Sequence, residues 1–456
     1  MPRASRRLVI SCGMMTVAAA VILPASAAVA DAHPVFWVSS GGTTAHANVN
    51  CQTAGYGSVQ SAVNAAESYE SSHPGAMPAV EICPGTYSEQ VTILKSLALS
   101  RAPVPASQGP ATIQLPASVG SDQTKGLSST NCQAKDAVNH IQTPQSVIEV
   151  CAAGTGGTNT KGVKVTVSDL TVAGDWPTSV CYDSLYDILI GGGASLKLTG
   201  STVEKAGAYP LNGCQGGVGI QAGRDAIGQV GHVSLSRDTI ETYQKNGVTV
   251  DGPGSTADIS HVKVTGAGAT PGIAQNGIQL SRGATGSVTG SSVSGNNYTG
   301  TGGASSAGIL VFGGCGMPLV QHAKVNGNRL NGNDNGIGLY NYDTSCAKSA
   351  PTPTSDTACF NVIENSHGYP SADANVTGWS SSPAVGYQAG VTDVGNHDVV
   401  CLNAVSGAGY APQDASSSLP NPPAPAFVRP VDVVSGPAIR PSVFGNTFDG
   451  RTYLPA

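Results

Sequence analysis

Four charged residues have side chains suited to sugar chemistry: Asp225, Asp251, Arg282 and Asp343. Carboxylates can act as acid, base, nucleophile or Ca²⁺ ligand, and arginine can pair with a uronate or act as an unusual base. Hydrolysis needs two carboxylates about 5 to 10 Å apart, which Asp251 could form with Asp225 or Asp343. Elimination needs a cation that neutralises the uronate and a base for its C5 proton, and Arg282 beside Asp251 suits that task. Ca²⁺ is the one cofactor that this set suggests.

Five further residues are candidate substrate contacts. Aromatic faces stack on sugar rings, arginine pairs with acidic groups, and amides bond hydroxyls. The candidates are Arg224, Gln279, Phe312, Tyr340 and Tyr342.

Each central candidate also has a purely structural alternative. Asp251 precedes Gly252-Pro253-Gly254 and can simply shape a turn. Arg282 can be a solvated surface cation, and Tyr340 and Tyr342 can be ordinary exposed aromatics. The histidines His232, His261 and His322 stand in different registers of the pattern described next, which argues against a metal cluster.

These residues belong to, or closely follow, a recurring segment in which two aliphatic residues flank an outward one. Its copies begin with glycine and lie about thirty residues apart: Gly217-Val218-Gly219-Ile220, Gly247-Val248-Thr249-Val250, Gly277-Ile278-Gln279-Leu280, Gly308-Ile309-Leu310-Val311 and Gly336-Ile337-Gly338-Leu339. Ile188 and Ile190 add one copy upstream. Alternation of this kind predicts half-buried strands that recur once per coil.

Between the copies, apolar residues recur in pairs five positions apart. An offset of five requires a bend, because side chains on a straight strand alternate with period two. The pairs are Val167/Val172, Leu198/Val203, Leu235/Ile240, Ile259/Val264, Val288/Val293, Val325/Leu330, Val400/Val405 and Val443/Phe448. A turn former often stands between them, as at Ser201, Asp238, Ser291, Asn328, Asn403 and Asn446, which predicts a stacked polar ladder.

One strand from the glycine copy and two from the corner give a coil of three strands. Stacked coils form a parallel β-helix, in which Val248, Ile278, Ile309 and Ile337 are vertical neighbours. Composition agrees, because the 59 glycines and 11 percent charged residues are unlike solvated helices, while 40 percent hydrophobic residues argue against disorder. The predicted fold is an all-β right-handed parallel β-helix, and a β-sandwich is the alternative.

Residues 1–30 resemble a secretory signal peptide, with three arginines, an apolar stretch and a small-residue cleavage site. Removing those arginines leaves 19 basic against 28 acidic residues, so the formal charge moves from −6 to −9, which disfavours nucleic acid as a partner. No later stretch is apolar enough for membrane insertion. The ten remaining cysteines favour disulfides in an extracellular protein. The sequence leaves their connectivity open, although short loops could bring Cys51 to Cys83 and Cys346 to Cys359.

The segment from Phe36-Trp37-Val38 through Tyr56 to Ala66 and Ala79 to Leu99 resembles the opening of pectin-lyase-like proteins. The resemblance implies that Ser58 to Ser68 forms a short amphipathic cap helix and that Pro84-Gly85-Thr86-Tyr87 turns into the first strands. The resemblance covers about sixty residues. The family that shares this opening includes both enzymes and non-catalytic members. The aspartate segments of pectin methylesterases and polygalacturonases are missing, which counts against those two activities.

The sequence thus predicts a signal peptide at 1–30 and a single β-helix domain at 31–456, with the cap and first coils at 31–100, regular coils at 145–345, and irregular loops and last coils at 346–456. Long stretches at 120–145, 174–186 and 346–384 are expected to wall a groove. The leading hypothesis is a secreted protein that binds or cleaves an extracellular polysaccharide, by lyase or hydrolase chemistry. The alternative is a non-catalytic surface or adhesion protein, and the sequence leaves the oligomeric state open.

Overall fold

In the computed structural model, the structure describes residues 34–117, 132, 145–152, 162–176, 181, 184–299, 304, 306–346, 348–366, 389–407, 410 and 442–452. The predicted signal peptide lies outside the described residues, as do most of 120–145 and 411–441. Within the described ranges the strands form three long sheets, and every strand pair except the last is parallel. Successive strands of one sheet come from successive coils, so the chain forms a right-handed parallel β-helix.

The bounds of the strands follow, sheet by sheet. The first sheet contains β1 (Val35–Val38), β2 (Ala79–Ile82), β5 (Leu97–Arg101), β8 (Lys164–Ser168), β11 (Ala194–Thr199), β14 (Gly231–Ser236), β17 (Thr256–Ser260), β20 (Thr285–Thr289), β23 (Lys324–Asn326), β26 (Thr357–Cys359), β29 (Val399–Cys401) and β31 (Ser442–Phe444). The second contains β3 (Gly85–Ser88), β6 (Ala111–Gln114), β9 (Thr171–Ala173), β12 (Thr202–Glu204), β15 (Thr239–Glu241), β18 (Lys263–Thr270), β21 (Ser292–Tyr298), β24 (Arg329–Asn331), β27 (Val362–Glu364), β30 (Ala404–Ser406), β32 (Thr447–Phe448) and β33 (Arg451–Thr452). The third contains β4 (Val91–Ile93), β7 (Gln145–Cys151), β10 (Leu185–Gly191), β13 (Val218–Ala222), β16 (Asn246–Asp251), β19 (Asn276–Ser281), β22 (Ala307–Gly313), β25 (Asn335–Asn341) and β28 (Ala389–Asp393).

One α-helix, α1 (Val59–Ser72), occurs in the described part of the chain. Ser58 caps it by accepting a hydrogen bond from the Ser61 backbone N–H, and the Glu89 carboxylate accepts from the first two helical N–H groups at 2.7 and 2.9 Å. Its apolar face, which includes Val63 and Ala66, is buried against the first coil. The helix begins where the resemblance implies and ends four residues later.

The predicted vertical stack of aliphatics is confirmed. Val248 pairs with Ile278, Ile278 with Ile309, and Ile309 with Ile337, and all four are fully buried in one continuous core. The first predicted copy is wrong by two residues, because Ile220 rather than Val218 pairs with Val248. Glycine spacing was misleading there, because Gly219 inside the strand, and not Gly217, takes the place that Gly247 has in the next coil.

The corner between the first and second sheets carries the predicted polar ladder. Asn328 donates its backbone N–H to Asn361 Oδ1 at 2.9 Å, Asn361 to Asn403, and Asn403 to Asn446 in the same way. Each side-chain amide also donates to a carbonyl of an earlier coil, as Asn361 does to Val325. The ladder therefore provides hydrogen-bond partners for buried backbone N–H and C=O groups at the corner of each coil.

Five disulfides link the described cysteines: Cys51–Cys83, Cys132–Cys151, Cys181–Cys214, Cys315–Cys346 and Cys359–Cys401. The first confirms one predicted pair. The predicted pair Cys346–Cys359 is wrong, because each cysteine bonds a residue of an adjacent coil rather than its neighbour in sequence. In the described part of the chain, no helix is long and apolar enough to cross a membrane.

Gly247 provides a test of the packing of the third sheet. A β-carbon at this position would lie 2.6 Å from the Gly277 carbonyl oxygen and 2.7 Å from Val264 Cγ1. Because both neighbours are buried, we expect Gly247→Ala to lower the free energy of unfolding by about 2–3 kcal/mol. Gly41→Ala is the control, since nothing lies within 4 Å of its added carbon. Urea unfolding of both variants checks the result, and equal stabilities would contradict this account of the packing.

Candidate functional site

A polar cavity of about 370 Å³ opens on the outer face of the third sheet, across β10, β13, β16 and β19. Outward residues of adjacent coils form its floor, because parallel pairing places Gln221 beside Thr249 and Thr249 beside Gln279. Arg224 and Arg282 lie at the ends of two of these strands and line the same cavity. The repeat thus converts a column of strands into a row of polar side chains.

Asp251 is the centre of a bonded network at one end of the cavity. Its Oδ1 accepts from Arg282 Nε at 2.7 Å and from Ser281 Oγ at 2.8 Å, and its Oδ2 accepts from the Asp225 backbone N–H at 2.9 Å. The side chain is 3 % exposed, whereas that of Arg282 is 36 % exposed. Asp251 therefore joins three coils and holds Arg282 at the cavity wall. This role differs from that of a residue that merely shapes its own turn.

Arg282 follows β19 in the left-handed backbone region, with φ of 51°. That conformation turns the chain outward directly after the strand, so the guanidinium reaches back to Asp251 in the preceding coil. Burial opposes the charge of Arg282, but the Asp251 carboxylate beside it raises the pKa of the guanidinium overall. Arg282 therefore remains a cation, and the suggested role as a base is not supported.

Arg224 supplies a second cation, held from another direction. It is 7 % exposed, and its guanidinium donates to Gln229 Oε1 at 3.0 and 3.2 Å and to the Cys132 carbonyl at 2.6 Å. Lys245, which precedes β16, also lines the cavity and donates from Nζ to the Ala274 carbonyl at 2.9 Å. Burial lowers the pKa of Lys245. Three basic side chains thus line one cavity of a chain whose formal charge is −6.

Tyr186 brings a titratable hydroxyl to the same wall. Burial raises the pKa of its phenol, the Arg224 and Arg282 charges oppose that rise, and the Asp251 charge adds to it. The ring packs with Leu189 and Val218 on the sheet. The phenol is therefore close enough to both arginines for their charges to act on it.

Amide side chains continue the polar surface along the cavity floor. Asn246 donates from Nδ2 to Gln279 Oε1 at 3.0 Å and to Thr249 Oγ1 at 2.9 Å, and Gln279 donates to Ser281 Oγ at 3.1 Å. These groups lie beside one another on consecutive coils. They offer a fixed row of donors and acceptors, which suits a ligand rich in hydroxyls.

The other four candidates lie elsewhere. Tyr340 and Tyr342 are each 5 % exposed and pack with Val394 and the half-buried Phe312, their ring centroids 6.2 Å apart. The idea that they are exposed aromatics is therefore wrong, and Phe312 is held in the same cluster. Asp343 belongs to a local turn, where its carboxylate accepts from the Ser345 backbone N–H and hydroxyl.

Of the two carboxylates that the sequence offered as partners for Asp251, the structure leaves one. Asp343 follows β25, three strands beyond Asp251, which is about 14 Å at the spacing of adjacent strands. Only Asp225 adjoins Asp251; burial and the Asp251 charge raise the pKa of Asp225, while Arg282 lowers it. A Ca²⁺ site at Asp251 does not fit, because both of its oxygens already accept from protein donors. Cys132, Glu149 and Cys151 also cluster, but the two sulfurs are bonded to each other.

Sequence reasoning missed Tyr186 and Lys245. Ile188 and Ile190 were recognised as a copy of the repeat, and Tyr186 lies two residues before the first of them on the same strand. Lys245 lies two residues before the copy that begins at Gly247. Extending each copy by two or three residues at its start would have found both.

The chain is thus a right-handed parallel β-helix protein with a polar, cation-lined cavity on the outer face of its third sheet. No family model matches the sequence, and no curated protein matches it. Among solved structures, the chain is similar to XylC in complex with xylose, at 10% identity and a TM-score of 0.46, covering 82% of this chain and 69% of that one. It is also similar to a mutant of DFA-IIIase from Arthrobacter chlorophenolicus A6, at 11% identity and a TM-score of 0.38, covering 86% and 80%. A third is PfbA, a surface adhesin of Streptococcus pneumoniae, at 11% identity and a TM-score of 0.39, covering 76% and 83%.

Proposed function

We propose that this chain is an extracellular carbohydrate-active β-helix protein that binds an acidic polysaccharide in the cavity on the third sheet. The observation that carries the proposal is the convergence of Arg224, Arg282 and Lys245 on one cavity of an otherwise acidic chain. A carboxylate on the ligand is the natural partner for these cations, and guanidinium groups bind carboxylates with defined geometry. The five disulfides suit an extracellular compartment.

The residues divide the work between charge and hydroxyl recognition. Arg282, fixed by Asp251, and Arg224 bind the uronate carboxylate. Gln279 and its neighbouring amides bond the hydroxyls of the sugar. Because the coils are stacked, an extended polymer can cross several of them along the same row.

Cleavage by elimination is the chemistry that this arrangement supports best. The arginines neutralise the carboxylate and so acidify the C5 proton, and the Tyr186 phenolate accepts that proton. The C–H electrons form the C4–C5 double bond as the C4–O4 bond breaks, and the departing oxygen takes a proton from the Tyr186 hydroxyl. Hydrolysis is less well supported, because the Asp251 oxygens are occupied by protein donors.

Adhesion without catalysis is the second candidate function. It is favoured by the absence of the pectin methylesterase and polygalacturonase segments from the sequence. A cavity that binds acidic polymer would serve this role equally well. Turnover therefore separates the two candidates, whereas binding alone does not.

Binding is tested with polygalacturonate and alginate, and with highly methyl-esterified pectin and a fructan as uncharged probes, each with and without Ca²⁺. We expect the acidic polymers to bind and the uncharged ones to bind at least tenfold more weakly, since charge-assisted bonds contribute about 1.5–3 kcal/mol each. Arg282→Gln should lose about tenfold in affinity, while Arg282→Lys keeps part of it. Arg329→Gln, at an exposed position on the second sheet, is the matched control. Equal binding of charged and uncharged polymers would end the proposal.

A further inference from the structure

The outer face of the first sheet carries a second depression, which shares no lining residue with the proposed cavity. It measures about 530 Å³ and crosses β8, β11, β14 and β17. Inward residues such as Val165 and Leu196 belong to the core, while the residues between them point outward. The depression exists because most outward side chains here are short.

Hydroxyl groups form a regular lattice on this face. One column runs in register through six consecutive coils, and adjacent members are about 4.8 Å apart. Its members are Ser100, Ser168, Thr199, Ser236, Ser260 and Thr289. Thr199 and Ser236, which are neighbours in this column, bond each other at 3.2 Å.

Charge on the same face is predominantly positive. From β8 to β23 the outward ionisable residues are Lys164, Lys197, His232, Asp258 and Lys324. The three lysines are exposed, and none has an acidic partner within ion-pair distance among the residues that the structure describes. Asp258 accepts a hydrogen bond from Ser287 instead. An acidic protein thus keeps a local surplus of free ammonium groups on a hydroxyl-rich surface.

We infer that this face is a second binding surface, independent of the cavity, for an extended acidic polysaccharide. Lysines attract carboxylates or sulfates on the polymer, and the hydroxyl lattice exchanges hydrogen bonds with its sugar hydroxyls once per coil. Lys197 and Lys324 stand in one column four strands apart, about 19 Å. A ligand that contacts both ends of this row must span that length, as an extended polymer does.

Other occupants fit the face less well. A protein partner would need a large apolar or aromatic anchor, and the outward residues of β8, β11, β14, β17 and β20 offer only the imidazole of His232. A single-stranded nucleic acid would need several aromatic rings for stacking. Two separate surfaces for one polymer would increase the retention of the protein through effective concentration.

The test is isothermal titration of the whole secreted protein with polygalacturonate and with dextran at low and high salt. The double variant Lys164→Glu/Lys197→Glu should bind polygalacturonate roughly tenfold more weakly at this surface at low salt, and the difference should vanish near 0.5 M salt. Lys263→Glu, an exposed lysine on the second sheet, is the matched control. All three positions are exposed, so folding is retained and near-ultraviolet circular dichroism verifies it.

This experiment tests the cavity and the second binding surface separately. A double variant that binds like wild type and like Lys263→Glu overturns the second surface, whatever Arg282→Gln does. Loss of binding in the double variant, with none in Arg282→Gln, supports the second surface and removes the cavity. Equal binding of dextran, or dimer formation that the double variant abolishes with no effect on the polymer, also overturns the inference.

Discussion

Tyr186→Phe is expected to lower kcat for cleavage of polygalacturonate by about 10²–10⁴-fold while leaving its dissociation constant unchanged. The phenol lies within the influence of Arg224 and Arg282, where a bound uronate would present its C5 proton. Phenylalanine keeps the ring that packs on Leu189 and Val218 but cannot accept or return a proton. The ultraviolet absorbance of the unsaturated product measures the rate directly.

The pH profile of wild-type cleavage distinguishes a base from a structural tyrosine. Burial raises the pKa of Tyr186 above its ordinary value, so the phenolate is a minor form at neutral pH and its fraction grows as pH rises into the alkaline range. Cleavage should therefore accelerate as pH rises, and Tyr186→Phe should remove that dependence together with the rate. Tyr243→Phe is the control, because Tyr243 is buried in the core and bonds Asn296 away from the cavity.

Two outcomes contradict this mechanism. Retained turnover in Tyr186→Phe would assign the proton transfer to another group. Lys245 is the next candidate, because its pKa is lowered by burial. No turnover of any acidic polymer by the wild-type protein, with binding intact, would favour the adhesive function. Either result leaves the fold and the cation-lined cavity as they are.

The fold was predictable because every coil has the same packing requirement. Each coil must bury two aliphatics per strand, so Val248, Ile278 and Ile309 recur at a spacing that the sequence displays openly. The corner ladder was also visible, except at Asn361, where the flanking pair Ala358 and Ile363 includes a small residue and escaped the pattern. The first copy failed because two glycines stand two residues apart, and only strand pairing selects between them.

The site was predictable only in part. Asp251, Arg282, Arg224 and Gln279 meet because they occupy equivalent places on stacked coils, which the repeat itself encodes. The burial of Tyr340 could not be read in the same way. It depends on Val394, which lies more than fifty residues further on in the next coil, after an insertion of irregular length. Disulfide pairing between coils, as in Cys315–Cys346, has the same long-range origin.

A buried pair of aspartates in the last coils is expected to make the free energy of unfolding depend strongly on pH. Asp393 ends β28, and its Oδ1 accepts from the Gly395 backbone N–H at 2.8 Å, while Asp398 Oδ1 accepts from Thr354 Oγ1 at 2.6 Å. Oδ2 of Asp393 and Oδ2 of Asp398 are both buried and accept from no donor in the described part of the chain, so a proton held between the two carboxyls would satisfy them. Burial, followed by the negative charge of Asp398, raises the pKa of Asp393 well above its usual range. Asp393 is therefore the protonated member and donates to Asp398.

The sign of the pH dependence follows from that raised pKa. The folded chain holds the Asp393 proton more tightly than the unfolded chain does, so the pair stabilises the fold at low pH. Stability is lost as pH rises from the unfolded pKa, about 4, towards the folded one, where a second buried charge would appear. Asp398 also accepts a hydrogen bond from the Asp356 backbone N–H; that bond and the His397 charge both lower the pKa of Asp398, while the Asp398 charge raises the pKa of Asp356.

Asp393→Asn should abolish this dependence, because the amide keeps both bonds, accepting from Gly395 and donating to Asp398, without a proton to lose. An uncompensated buried charge costs about 3–5 kcal/mol, so at pH 9 the variant should exceed wild type in free energy of unfolding by up to about 3 kcal/mol, with little difference at pH 5. Urea unfolding across that range measures it, with Asp258→Asn on the exposed first sheet as the control. Parallel curves for wild type and Asp393→Asn would show that the pair shares no proton. The buried carboxylates would then need a different counter-charge within the last coils.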